Sequence, residues 1–139
     1  MRLVTYRATT SEAARLGAIV ADYVIDVQRL AAADGASLPS CMLELIDLGP
    51  TALQSLQRLL AAGGEGGWPI GVALPTVNVR LLAPIPKPRK NIFGIGLNYV
   101  EHVAESSRTL DTAKELPKQP VIFTKPPTAV IGPDDAIEH

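Results

Sequence analysis

The stretch Asn91-Ile-Phe-Gly-Ile-Gly-Leu-Asn-Tyr-Val-Glu-His-Val-Ala-Glu105 decides how this chain is read. Its first six residues form a short apolar run of buried-strand type, and the two glycines near its end permit close backbone approach where substrates often bind. Asn98 is a good helix N-cap, and Glu101 lies three residues on, as in a capping box, so a helix is expected to start just after Asn98. On that helix His102 and Glu105 are three apart and share a face. A carboxylate beside an imidazole orients the ring and raises its basicity. A histidine held this way can take a proton from water. Gly94-x-Gly96 is too short for a dinucleotide fingerprint, which needs a third glycine at fixed spacing.

A second informative stretch follows at Phe123-Thr-Lys-Pro-Pro-Thr-Ala-Val-Ile-Gly-Pro-Asp-Asp135. Lys125 precedes a proline and is pushed to an extended backbone. Taken singly it reads as an ordinary exposed lysine; the alternative is an ammonium that points into a cleft lined by Thr124 and Thr128 and meets a carboxylate. Asp134 and Asp135 read first as part of a Gly-Pro-Asp-Asp turn and only second as metal ligands. Val121 to Thr124 and Thr128 to Ile131 are expected strands. Between Ser106 and Gln119 the chain is polar, and residues 103–118 are expected to be the least ordered.

Upstream, Pro84-Ile-Pro-Lys-Pro-Arg-Lys90 carries three prolines at alternate positions and reads as an extended connector. The domain division is drawn there, with a small domain over 1–83 and a second part over 84–139. Within the first, Arg2–Arg7, Arg15–Val20 and Tyr23–Val27 read as strands, the last two joined by Ala21-Asp22 as a hairpin turn. Helices are expected at Val27–Ala33, at Met42–Leu48 with Leu43, Leu45 and Ile46 inward, and at Pro50–Ala62. Pro50 suits the first position of the last of these. Leu53, Leu56, Leu59 and Leu60 form its stripe, and Gly63-Gly64 is expected to end it. Val79–Ala83 reads as a further strand. The class is therefore α+β.

Composition bounds the function. A net charge of −1 gives no electrostatic case for nucleic acid or an acidic membrane, and 47% hydrophobic residues suffice for a packed core. Cys41 is the single cysteine, so no intrachain disulfide can form, which fits a reducing, cytoplasmic setting. The first residues lack the apolar run of a signal peptide, and no apolar stretch approaches the ~20 residues of a membrane span.

Taken together, Gly96-x-Asn-Tyr-x-x-His102 with a glutamate three residues later, followed by Phe123-x-Lys-Pro and Gly132-Pro, resembles the opening of the catalytic domain of the fumarylacetoacetate hydrolase superfamily. Residues 1–83 are similar to the small N-terminal domain of many bacterial members. The resemblance implies a small N-terminal α+β domain followed by the incomplete start of a mixed β-roll catalytic domain, usually homodimeric. It implies that His102 and Glu105 are the catalytic dyad that activates water, on a lid that orders over substrate. Lys125 and Thr128 would lie at the substrate pocket. It also implies Mg²⁺ or Mn²⁺, sometimes Ca²⁺, holding a small 2-oxo or β-diketo acid whose carbon–carbon bond is cleaved, as in aromatic catabolism. Isomerisation, decarboxylation and hydration are the other chemistries of the family. The family's Glu-x-Glu pair and later Asp have no counterpart after Gly132 in these 139 residues, so no metal ligand is assigned. The chain is expected to be the front part of a longer enzyme and inactive alone. The competing expectation is a non-catalytic binding or self-association module.

Overall fold

The computed structural model describes residues 1–9, 12–97, 99, 101 and 117–137. The chain forms two compact units, one of Met1–Pro86 together with the stretch from Ile131, the other of Lys87–Val130.

The first unit is built on three consecutive antiparallel strands, β1 (Arg2–Arg7), β2 (Arg15–Val20) and β3 (Tyr23–Asp26). Short strands β4 (Ala73–Pro75) and β5 (Arg80–Leu81) flank them, giving the order β4-β3-β2-β1-β5. The expected hairpin is present, with Ala21 at φ 48 in its turn. The carbonyl of Asp22 in that turn accepts both the N–H and the hydroxyl of Thr76, each at 2.8 Å, which ties the hairpin to the chain just after β4. The sequence reading missed β4: Ala73-Leu-Pro75 is too short and too proline-marked to declare itself as a strand, and β3 recruits it. The strand expected over Val79–Ala83 is only two residues long.

Helix α1 (Val27–Ala33) starts where Asp26 turns from strand to cap, its carboxylate accepting the N–H of Arg29 at 2.8 Å. Helix α2 (Met42–Gly66) is broken at Gly49, whose φ of 68 and ψ of −153 lie outside the helical region. Two constraints meet there. A residue before proline avoids the α conformation, and a left-handed φ is cheap only for glycine. The result is the pair of helical arms expected on either side of Gly49, with Pro50 opening the second.

The second arm runs past Gly63-Gly64 to Gly66, further than expected. A Cβ on Gly63 would lie 2.2 Å from the Trp68 ring, so the indole packs directly on this glycine backbone. Trp68 in turn joins the core, and that packing holds the last turn despite weak helix propensity. The core between sheet and helices comprises Leu16, Ile25, Val27, Leu30, Leu45, Leu56, Leu59 and Val72, with Leu53 and Leu60 packed at its margin. The leucine stripe thus faces inward as read. In the first arm Met42 and Leu45 are buried, whereas Ile46 is exposed.

The second unit is a two-stranded antiparallel ribbon of β6 (Ile92–Gly96) and β7 (Val121–Lys125). The strand expected at Thr128–Ile131 is instead a 3-10 turn at Pro127–Ala129. Pro126 and Pro127 offer no N–H to a ladder, and the turn closes through the N–H groups of Ala129 and Val130. The whole is an α+β chain, as the sequence implied.

Candidate functional site

The ribbon organises the candidate residues that are described. Its register pairs Ile92 with Lys125, Gly94 with Phe123 and Gly96 with Val121. Directly opposed residues share a face, so Lys125 stands over the same face as Ile92 and Phe123. On that face the Phe123 ring lies across Gly94, where a Cβ would come within 2.3 Å of it. Gly94 is therefore a packing glycine, and the close approach anticipated at this strand is made by an aromatic ring.

Lys125 closes β7 and is exposed, and Thr128 is exposed in the following 3-10 turn. The two are thus brought onto adjoining elements at one end of the ribbon. Gly96 closes β6 at the other end, beside Val121. Four residue steps separate those ends, about 13 Å at ~3.3 Å per residue. His102 and Glu105 themselves lie outside the described residues, as do Asn98 and the helix start it was expected to cap. Glu101 is helical and exposed, and Tyr99 is exposed.

The charged residues described in this unit are Lys87, Arg89, Lys90, Lys118 and Lys125, against Glu101. Such a surplus of cations favours approach of a small anion.

No group of three or more His, Cys, Asp or Glu side chains converges among the described residues. Asp135 is committed elsewhere: one oxygen accepts the N–H of Gly132 at 2.7 Å and the other pairs with the Arg80 guanidinium. These two contacts, the Gly132 hydrogen bond foremost, hold its carboxyl below the usual range. Residues present in the described part therefore do not make the oxygen cage that Mg²⁺ or Mn²⁺ requires.

The strongest polar cluster lies in the first unit and was not anticipated. Fully buried Asp26 accepts the Tyr6 hydroxyl at 2.5 Å, the Arg15 Nε at 2.5 Å and Nη2 at 3.0 Å, besides capping α1. Burial pushes the Asp26 carboxyl up, but the hydrogen bonds from Arg15, Tyr6 and the Arg29 N–H outweigh it and hold the carboxyl below the usual range. Burial, and then the bond to Asp26, push the Tyr6 hydroxyl well above its ordinary value. Every acceptor position is used to tie β1, β2, β3 and α1 together, so the cluster reads as structural. The helix-capping position of Asp26 was the available signal in the sequence.

Against this geometry, residues 91–139 match the family described as fumarylacetoacetate (FAA) hydrolase C-terminal. Oxaloacetate tautomerase fahd2, mitochondrial, of Xenopus laevis is 34% identical over 99% of this chain and 38% of its own length. Oxaloacetate tautomerase Fahd2a, mitochondrial, of Rattus norvegicus is 32% identical over 99% of this chain and 39% of its own length. Oxaloacetate tautomerase YisK of Bacillus subtilis is 32% identical over 73% of this chain and 33% of its own length. The chain thus spans less than two-fifths of each of these relatives. Motif order, α+β architecture and these matches agree, and the chain belongs to the fumarylacetoacetate hydrolase superfamily.

Proposed function

We propose that this chain contributes to an enzyme that interconverts the enol and keto forms of a small 2-oxo diacid such as oxaloacetate. The observation that carries this reading is the match of nearly the whole chain to proteins named oxaloacetate tautomerase. Tautomerisation is chemically simpler than the carbon–carbon cleavage implied by the family resemblance. The enol oxygen gives up its proton, the far carbon of the enol double bond gains one as that double bond moves to the C–O bond, and the carbon skeleton stays intact. A hydrolase cleaving a 2-oxo or β-diketo acid is the second reading, favoured by the family whose model matches residues 91–139.

In either reaction negative charge develops on an enolate oxygen. His102, oriented by Glu105, is the proposed group that takes and returns the proton. Lys125 offers an ammonium to a substrate carboxylate and Thr128 a hydroxyl beside it. The cationic surface of residues 87–125 supports an anionic substrate. A divalent cation, Mg²⁺ or Mn²⁺, would supply enolate stabilisation when bound, on residues other than those described. A homodimer in the cytoplasm completes the proposal; the frog and rat relatives carry a mitochondrial designation instead.

The test follows decay of the enol absorbance of oxaloacetate. It uses the 139-residue chain and a form of the relatives' length, with Mg²⁺ or Mn²⁺ and with chelator. The longer form is expected to be active and chelator-sensitive, and the 139-residue chain inactive. In the longer form His102→Ala should lower kcat by about 10²–10⁴, while Lys125→Ala should act mainly on KM. Cleavage of an acylpyruvate with no effect on enol decay would replace tautomerisation by hydrolysis. Wild-type kcat in His102→Ala would remove the proposed proton carrier.

A further inference from the structure

We infer that Arg80 and Asp135 form a latch that holds the two ends of the 87–130 stretch side by side at the edge of the first unit. The construction can be followed residue by residue. The Leu82 N–H bonds the Thr5 carbonyl at 2.8 Å, and the Thr5 hydroxyl donates to the Pro84 carbonyl at 2.6 Å. The outgoing chain is thereby fixed along β1, with Ala83 buried. The returning chain meets it at Gly132. A Cβ there would lie 3.2 Å from both the Ala83 nitrogen and the Leu82 Cα, so the two backbones touch where only glycine fits easily. Asp135 then closes the arrangement. Its carboxylate takes the Gly132 N–H with one oxygen and the Arg80 guanidinium with the other. Asp134, at φ 61, makes the reversal that brings the carboxylate back.

The order of dependence is clear. Arg80 belongs to β5, and β5 pairs with β1 at Tyr6 and Arg7. Asp135 is thus tied to the central sheet through one side chain, and Gly132 is tied to Asp135. Without the pair, the packing of Gly132 against Leu82 and Ala83 remains. Release would free the exit of the stretch that carries Lys125 and Thr128, whatever reaction those residues serve. Arg80 is more than half exposed, so the latch can open without uncovering the core.

Amide hydrogen exchange on the 139-residue chain tests this. In Arg80→Gln and in Asp135→Asn, amides of residues 131–137, Gly132 above all, should exchange about 10-fold faster, while β1–β3 amides keep their protection. Arg80→Lys should retain most of the slow exchange. High salt should act on the wild type in the same direction as Arg80→Gln. Unchanged exchange at Gly132 in Arg80→Gln would overturn the latch. Parallel loss of protection in β1–β3 would overturn it too, by making the pair part of the fold's general stability.

Discussion

At the scale of single residues, Asp26 carries the largest responsibility. It is fully buried, and four hydrogen bonds converge on it from β1, β2 and α1. Asp26→Ala should lower unfolding free energy on the order of 3 kcal/mol, because Arg15 and Tyr6 would lose their shared acceptor. Its folded pKa is depressed, so its contribution is complete above the unfolded value of about 4 and is lost as pH falls through the lower folded value. Urea unfolding followed from neutral pH down to pH 3 should therefore show a decline that is flattened in Asp26→Asn. Ala21 is a contrary case. Its φ of 48 places an L-residue in the left-handed region, and Ala21→Gly should stabilise the hairpin by about 0.5–1 kcal/mol despite the added flexibility of the unfolded chain. A thermal melt of the two chains would show it.

At the scale of elements, what the sequence made legible followed local rules. The bounds of β1, β2 and α1 were readable because short β-branched runs and a two-residue link each act within a few positions. The break at Gly49-Pro50 was readable for the same reason. Elements that depend on distant partners were not. The C-terminal turn of α2 exists because Trp68 seats on Gly63, and β4 exists because β3 offers it an edge. The Thr128–Ile131 strand gave way to a 3-10 turn, in which the N–H groups of Ala129 and Val130 bond back to the carbonyls of Pro126 and Pro127. The candidate site was legible by composition and order, in Lys125 and Thr128, but its spacing was not. Only the register of β6 on β7 shows that Lys125 sits at the Ile92 end of the ribbon, away from Gly96.

At the scale of the whole molecule, the ribbon leaves much apolar surface to water. Phe93 is 68% exposed, Ile122 64% and Ile95 57%, on the face opposite Lys125. A hairpin of two strands is marginal alone, and an exposed apolar face of this kind favours association. Sedimentation of the 139-residue chain should show concentration-dependent oligomers, and Phe93→Ser with Ile122→Ser should shift it toward monomer. A wild-type chain that remains monomeric at high concentration would contradict the expectation. No helix among the described residues is long and apolar enough to cross a membrane.

The strand order of the first unit has a consequence in time. Its three central strands are consecutive in sequence, joined by short links, and α1 follows without a gap. During synthesis, the ribosome has delivered this nucleus once residue 33 is clear of the exit tunnel. Both flanking strands, however, come from residues 73–81, and the segment that packs on Leu82 and Ala83 comes after residue 130. Local pairing can thus proceed early, while closure waits for distant sequence and costs more chain entropy. Arrest of translation between these points would leave a three-stranded sheet with both edges open, the species that a chaperone would have most reason to meet.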